Sequence, residues 1–300
     1  MGWSSPDSWP TRLFSGDPIA ILIAFLVTVS LPALLHLYFY TQTARAKVVP
    51  TFLLLGSSGA GKTSLVSLLQ KRSADPEESE PAPTRISQTS TDVSLLLPAS
   101  IPLGSNKYRS ENDVSFRDKH PTRYHMIDTP GHGKLRTEQA LSQIQNPALR
   151  GVVFVVDSSA LDSSDSTTCR DTALYLHDTL LALQRRATGK SKAKTDAPIL
   201  IAANKQDLFT ALPTGAVKER LQAEIERVRV SKSRGLTTVG QESEADAEED
   251  VLGGGGEENF TFKLLEEEYN IKVDVIGGAV KGEEAGKGVR RWEEWIGGCL

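Results

Sequence analysis

Residues 56–63 form a glycine-rich octapeptide whose residue types are suited to holding phosphate. They fit the pattern G-x-x-x-x-G-K-[ST] without a mismatch. The two fixed glycines allow successive backbone N–H groups to point inward, while Lys62 brings a positive charge and the Thr63 hydroxyl can coordinate magnesium. We therefore predict a phosphate cradle formed by Gly56, Ser57, Ser58, Gly59, Ala60, Gly61, Lys62, Thr63 and Ser64.

A second motif, Asp128-Thr129-Pro130-Gly131-His132, follows an apolar run farther along the chain. An acid at the end of a strand beside the cradle suits magnesium binding through water, and the Gly131 N–H suits contact with a γ-phosphate. D-x-x-G alone is common and usually marks only a turn. Because it follows a predicted strand downstream of the glycine-rich loop, we favour a role in magnesium binding, with Asp128 as the residue that holds the metal through water.

Residues 204–207, Asn-Lys-Gln-Asp, complete a third motif at the end of another apolar run. The Asp207 carboxylate can accept hydrogen bonds from N1–H and the 2-amino group of guanine, which adenine lacks. We expect Lys205 to lie along the base plane and Asn204 to connect this loop to the phosphate cradle. The three motifs in this order predict a guanine-nucleotide site.

Two further contacts are predicted with alternatives left open. A second magnesium-binding threonine is expected between the first helix and the next strand, where Thr89 is preferred to Thr91. Near the C-terminus, the backbone N–H of Ala279 is the candidate contact to the guanine carbonyl. The alternative there is a glycine-rich turn without a ligand.

Apolar runs suited to buried strands recur along the chain, at residues 51–55, 92–97, 123–127, 151–157, 198–203 and 271–276. Helical patterns fill the intervening segments, at residues 64–72, 134–145, 167–186, 215–230 and 287–296. Strands that alternate with helices predict an α/β fold, here a P-loop GTPase domain with a mostly parallel doubly wound sheet. Ligands of such sheets bind at the carboxyl ends of the strands.

A single transmembrane helix is predicted before this domain. Residues 19–40 are nearly continuous apolar sequence, and at ~1.5 Å per residue they span roughly 33 Å, enough for a hydrocarbon core of ~30 Å. A cleaved signal peptide and a buried core helix are the alternatives. Arg45 and Lys47 follow the run, so the positive-inside rule places the C-terminal domain in the cytosol. The predicted regions are a lumenal N-terminus at 1–18, the helix at 19–40, a linker at 41–50, and the GTPase domain at 51–300 with a disordered insertion at 231–258.

The overall composition argues against several other functions. A net charge of -4 gives no basic footprint for nucleic acid, so no direct DNA or RNA partner is expected. The two cysteines, Cys169 and Cys299, lie far apart and lack the spacing of a zinc site or a disulfide framework.

These motifs together resemble the beta subunits of the signal recognition particle receptor. The similarity covers the single N-terminal anchor, the glycine-rich loop, Gln88-Thr89-Ser90, residues 128–136 and residues 204–207. The resemblance implies GTP and GDP with Mg²⁺ as ligands, and anchorage in the endoplasmic reticulum membrane. It also implies binding of the receptor alpha subunit, so that ribosomes translating secretory proteins reach the translocon.

Hydrolysis is the least determined part of this prediction. Ras-like GTPases carry a water-orienting glutamine after D-x-x-G, whereas this chain has His132. His132 is either a catalytic residue in an assembled complex or a passive loop residue, and slow, partner-dependent hydrolysis is expected. The alternative functions are an Arf- or Sar-like transport GTPase and a constitutively GTP-bound membrane tether.

Overall fold

An N-terminal helical unit and a second unit built on a β-sheet make up the chain, with the division between Val48 and Val49. The computed structural model describes residues 18–45, 49–75, 80–85, 87–104, 122–161, 167–189, 197–237, 251–253, 259–282 and 286–300. The predicted lumenal segment 1–18 lies outside these residues except for Pro18.

The N-terminal unit contains one long helix, α1 (Pro18–Arg45). Residues Ile21–Phe39 are long and apolar enough to cross a membrane, and none of that stretch is buried within the protein. The large apolar side chains described here, such as Phe25, are mostly exposed, at 70% for Phe25. A helix that is apolar on all sides and has no protein cover is suited to a lipid environment. The segment predicted to span the membrane, residues 19–40, is therefore helical in the structure.

Among the described residues of the second unit, six strands form one sheet, in the order β2-β3-β1-β4-β5-β6. Strand β2 runs antiparallel to β3, and the remaining pairs are parallel, as the sequence predicts for a mostly parallel sheet. The carboxyl ends of the five parallel strands consequently meet at one edge. The strands are β1 (Thr51–Gly56), β2 (Thr91–Leu97), β3 (Thr122–Asp128), β4 (Leu149–Asp157), β5 (Ile199–Asn204) and β6 (Val273–Gly277).

The strand register brings the three sequence motifs to that edge. Leu54 of β1 lies opposite Asp128 of β3, and Gly56 lies opposite Val155 of β4. Asp157, the last residue of β4, lies opposite Asn204, the last residue of β5. Phosphate, metal and base motifs therefore occupy neighbouring strand ends.

Two hydrophobic cores cover the two faces of the sheet. Successive strand side chains point to opposite faces, so Leu53 joins one core and Leu54 the other. Both faces are buried, which explains why β1 and β5 are continuous apolar runs instead of alternating ones. The longer helices described after the N-terminal one are α2 (Lys62–Ala74), α3 (Thr167–Thr188), α4 (Thr214–Thr237), α5 (Phe262–Tyr269) and α6 (Val289–Gly298).

The helix predicted at 134–145 is irregular in the structure. It consists of an α-helical turn (Gly133–Leu135), a π-helical turn (Arg136–Ala140) and a 3-10 turn (Leu141–Gln145). The structure also adds helix α5, which the sequence analysis did not predict. The sequence feature that could have indicated α5 is Thr261, which caps the N-terminus of the helix: its hydroxyl accepts a hydrogen bond from the Leu264 N–H.

The predicted disordered insertion at 231–258 is partly wrong. Helix α4 continues to Thr237, and Leu252 is fully buried in a core. The Gln184 side chain holds that segment, since it donates to the Val251 carbonyl and accepts from the Gly253 N–H. Residues 238–250 and 254–258 lie outside the described residues.

Candidate nucleotide-binding site

The glycine-rich loop turns sharply between β1 and α2. Gly56 and Gly61 have φ angles of 139° and 103°, which side chains rarely tolerate. A Cβ atom on Gly56 would lie 2.2 Å from the Val155 carbonyl oxygen, and one on Gly61 would lie 2.3 Å from Asn204 Nδ2. The fixed glycines of the motif are therefore required by both conformation and space.

Lys62 is the first residue of α2, and its side chain folds back into the loop. Its Nζ donates to the carbonyl oxygens of Gly56 at 2.8 Å and of Ser57 at 2.9 Å, and the residue is 6% exposed. Burial lowers the pKa of Lys62 to about 8, with Asp128 opposing the shift and Arg136 adding to it. A buried cation thus stands where the motif predicts contact with phosphate.

Thr63 and Asp128 form the candidate metal cluster together with Ser87. The Thr63 hydroxyl donates to Asp128 Oδ2 at 2.8 Å, and Ser87 Oγ lies 2.9 Å from that hydroxyl and 3.3 Å from the same carboxylate oxygen. Asp128 Oδ1 is buried and has no hydrogen-bond partner. Burial raises the pKa of Asp128, although Thr63, Lys62 and Ser87 oppose the shift. An oxygen-only set with one unsatisfied carboxylate oxygen fits Mg²⁺, a hard cation.

The structure places Ser87, not Thr89, in this cluster. Thr89 is exposed, and the residues that line the cavity over the loop do not include it. The hydroxyls nearest the loop come from the preceding segment, where Thr84 Oγ1 also lies 3.1 Å from Ser64 Oγ. The cavity is lined by Ser58, Gly59, Gly61, Lys62, Thr63, Ser64, Thr84, Arg85, Ser87, Thr129 and Gly131.

Gly131 packs directly on the phosphate loop. A Cβ atom there would lie 2.6 Å from the Ser58 backbone nitrogen and 2.7 Å from Lys62 Nζ, so only glycine fits. The Thr129 hydroxyl donates to the Leu54 carbonyl at 2.7 Å and ties this motif to β1. His132 is exposed and does not line the cavity, so its catalytic role stays a prediction.

Asn204 connects the base motif to two other loops. Its Nδ2 donates to the Ala60 carbonyl at 2.7 Å, as expected for a connection to the cradle. Its Oδ1 accepts from the Val280 N–H at 3.0 Å, and the residue is 3% exposed. One buried side chain therefore holds the glycine-rich loop, the base motif and the C-terminal loop in register.

Lys205 has a partner that the sequence analysis missed, Asp157 at the end of β4. The two side chains form an ion pair, and Lys205 has a positive φ of 65°. Burial acts to raise the pKa of Asp157, but hydrogen bonds from Lys205 and from the Ser159 hydroxyl and N–H lower it overall. The strand register alone, with Asp157 opposite Asn204, would have indicated this pair.

The predicted base contact at Ala279 stays a prediction. In this structure the Ala279 N–H donates to the Lys287 carbonyl at 2.8 Å, and the residue is fully buried. Gly282 lies beside Asp207, because a Cβ atom there would lie 2.0 Å from Asp207 Oδ2. The chain bends after β6, and it reaches Asp207 at Gly282, three residues after Ala279.

The fold and the site define the class of protein. A glycine-rich loop, a D-x-x-G loop and an N-K-x-D loop stand at neighbouring carboxyl ends of a mostly parallel sheet, and this arrangement is that of a P-loop GTPase.

Comparison with known proteins gives the family. A sequence model described as "Signal recognition particle receptor beta subunit" matches residues 47–269. The beta subunit of Saccharomyces cerevisiae is 28% identical over 283 residues, which cover 93% of this chain and 96% of the yeast protein. The chain belongs to the signal recognition particle receptor beta subunit family.

Solved structures agree with this assignment. SRb of Chaetomium thermophilum, in a complex described as SRb-GTP/SRX, is 33% identical with a TM-score of 0.60. The same SRb described with GDP and Mg is also 33% identical, with a TM-score of 0.58. Each match covers 84% of this chain and 98% of the other chain.

Proposed function

We propose that this chain is the GTP-dependent, membrane-anchored switch subunit of a signal recognition particle receptor, with GTP, GDP and Mg²⁺ as ligands. The observation that carries the proposal is the Asn204 side chain, which joins the phosphate loop to the base motif through the Ala60 carbonyl. A nucleotide has its phosphates and its base at opposite ends. A site that fixes both loops relative to each other suits that ligand.

In this proposal the phosphates bind the N–H groups of residues 57–64 and the ammonium of Lys62. Nucleotide phosphates would replace the two carbonyl oxygens that now surround the ammonium. Mg²⁺ would be held by Thr63 and, through water, by Asp128, and it would neutralise charge on the outer phosphates. The description of the related SRb with GDP and Mg supports this ligand set. Thr89 remains a proposed ligand only if its segment moves toward Thr63.

Base selection is assigned to Asp207, with Lys205 along the base plane and a backbone N–H near Gly282 toward the guanine carbonyl. An adenine base offers no donor to the Asp207 carboxylate, and its amino group would face a backbone donor at Gly282. Rejection of the wrong base therefore adds to attraction of the correct one.

Slow hydrolysis that depends on a partner follows from the exposure of His132. Because the His132 side chain does not line the cavity, it could orient the attacking water only after a bound partner had ordered the loop that carries it. The proposed partner is the receptor alpha subunit, which would dock where GTP orders the loops around residues 87–91 and 131–136. The SRb-GTP/SRX complex of the relative supports docking in the GTP form.

The proposed location is the endoplasmic reticulum membrane, with α1 spanning it and the GTPase domain in the cytosol. Delivery of ribosomes to the translocon is the proposed outcome. Carbonate extraction of membranes tests the anchor, since an Arf- or Sar-like protein with a peripheral helix would be released. Co-purification of a stoichiometric receptor alpha subunit from solubilised membranes would establish the pathway.

Titration calorimetry on the full chain in detergent micelles tests the ligand assignment. We expect GTP and GDP to bind in the presence of Mg²⁺ and ATP to bind at least 100-fold more weakly, on the order of the discrimination that unpaired buried polar groups produce. Equal binding of ATP and GTP would refute the base assignment. Single-turnover hydrolysis with and without the alpha subunit then separates a cycling switch from a constitutive tether, which would show no hydrolysis in either case.

A further inference from the structure

The segment between helix α2 and strand β2 runs back along α2 toward the phosphate loop. Four of its described residues contact the helix, and their partners lie progressively closer to the helix N-terminus. The pairs are Lys71 Nζ with the Glu80 carbonyl oxygen (2.7 Å), Ser67 Oγ with the Ala82 nitrogen (2.9 Å), Ser64 Oγ with Thr84 Oγ1 (3.1 Å) and Thr63 Oγ1 with Ser87 Oγ (2.9 Å). The segment is therefore fixed at several points, and Thr84 and Ser87 are fixed at the first turn of α2.

Arg85 lies between these two fixed residues, and its side chain lines the cavity over the phosphate loop. It is exposed, and it forms no hydrogen bond or ion pair with any residue that the structure describes. Among the described residues that line the cavity, the charged ones are Lys62 and Arg85, and both are cationic. A guanidinium stays charged and carries five N–H donors in a planar fork that matches phosphate oxygens. The cavity thus offers an anion a second cation, which has no protein acceptor among those residues.

The neighbours of Arg85 belong to the outer end of the proposed phosphate site. Ser87 contacts the Thr63 hydroxyl and the Asp128 carboxylate, the candidate magnesium cluster, and magnesium in such sites bridges the β- and γ-phosphate oxygens. Gly131, whose N–H is the candidate γ-phosphate contact, lines the same cavity. GTP adds a third phosphate and its negative charge at this end, and GDP does not.

We propose that Arg85 binds the terminal phosphate of GTP and thereby favours GTP over GDP. The proposal rests on the nucleotide binding proposed above. Lys62 belongs to the phosphate loop itself and serves both nucleotides, whereas Arg85 belongs to a separate segment beside the magnesium cluster. Because contacts on both sides of Arg85 attach that segment to α2, its backbone is in place before the nucleotide binds, and less conformational freedom is lost on binding.

The test is the ratio of dissociation constants, Kd for GDP over Kd for a non-hydrolysable GTP analogue, measured on the full chain in micelles with Mg²⁺. The variants are Arg85→Gln, which removes the charge, and Arg85→Lys, which keeps the charge without the fork. The matched control is Arg150→Gln. Arg150 is an exposed arginine near the beginning of β4, at the opposite edge of the sheet from the site. Melting temperatures without nucleotide should match the wild type in all three variants, since both arginines are exposed.

We expect Arg85→Gln to weaken binding of the GTP analogue about tenfold, as for loss of one charge-assisted hydrogen bond, and binding of GDP less than about threefold. The ratio should therefore fall at least about threefold. It should fall less in Arg85→Lys and stay unchanged in Arg150→Gln. An unchanged ratio in Arg85→Gln would overturn the proposal, whether both affinities were retained or both were lost equally. An equal fall in Arg150→Gln would overturn it too, because the effect would then be one of overall charge. If the wild-type chain bound neither nucleotide, the proposed function itself would fail.

Discussion

Replacing Asn204 with alanine should weaken the nucleotide site more than any other single change outside the phosphate loop. The substitution removes the hydrogen bonds to the Ala60 carbonyl and from the Val280 N–H. Ala60 and Val280 are 0% and 1% exposed, so neither backbone group gains water in exchange. Each unsatisfied buried group costs about 1–3 kcal/mol, which gives a total of about 2–6 kcal/mol.

The loss should be visible both in stability and in binding. At about 2–4 °C for each kcal/mol in a domain of this size, the melting temperature should fall by at least about 4 °C. The same bonds hold the base motif at a fixed distance from the phosphate loop. We therefore expect the affinity for GDP to fall by about tenfold or more, since about 1.4 kcal/mol of lost preorganisation suffices for that change.

Thermal unfolding and GDP titration of the full chain in micelles would measure both effects. The matched control is Asn146→Ala, which removes one local hydrogen bond to the Ala148 N–H, in the turn before β4. That variant should lose about 1 kcal/mol of stability and keep its GDP affinity. If Asn204→Ala behaved like Asn146→Ala in both assays, the connecting function of Asn204 would be refuted.

Three other predictions concern single groups in the same domain. Asp207→Asn should shift preference from guanine to xanthine nucleotides, measured by competition binding; unchanged selectivity would mean that another group reads the base. Burial lowers the pKa of Lys62 to about 8, so its amine is mostly neutral at about pH 9. Bound phosphates should raise that pKa again, and nucleotide binding at about pH 9 should therefore be accompanied by the uptake of as much as one proton by the protein. Calorimetry in buffers of different ionisation enthalpy measures this uptake, and it should be absent in Lys62→Met. Arg72→Ala should destabilise the domain by about 3–5 kcal/mol near pH 7, because it leaves the buried Glu293 carboxylate without its partner. Burial already raises the pKa of Glu293, so its carboxylate should become protonated as the pH falls, and the loss of stability in Arg72→Ala should then become smaller. Urea unfolding at several pH values measures this loss, and a loss that does not change with pH would contradict the prediction.

The sequence predicted those parts of the site that are contiguous along the chain. The glycine-rich loop, the D-x-x-G loop and the N-K-x-D loop each consist of neighbouring residues whose spacing reflects their own local geometry. The buried strands were equally predictable, because apolar runs without alternation indicate a sheet covered on both faces. The connection from Asn204 to the phosphate loop was also expected and is present in the structure.

Two site predictions, Thr89 and Ala279, differ from the residues that the structure places beside Asp128 and Asp207, and both differences have the same cause. Thr89 and Ala279 lie in irregular segments, where residue type does not reveal which side chain or N–H turns inward. The structure turns Ser87 inward at Asp128, and it uses the Ala279 N–H in a turn with Lys287. In both segments the observed residue lies two or three positions from the predicted one.

The proposed chemistry of the site could therefore be predicted from the sequence, because the residue types suited to phosphate, magnesium and guanine stand next to one another in short motifs. The long apolar helix at the N-terminus is equally a sequence property, since it depends only on an uncharged apolar run of sufficient length. The coupling between motifs was decided by tertiary structure alone. Arg136 contacts Asp171, 35 residues away in the sequence, and Asn204 contacts Val280, 76 residues away. The order of the strands and the packing of the helices bring these residues together, and their separation in the sequence gives no sign of it.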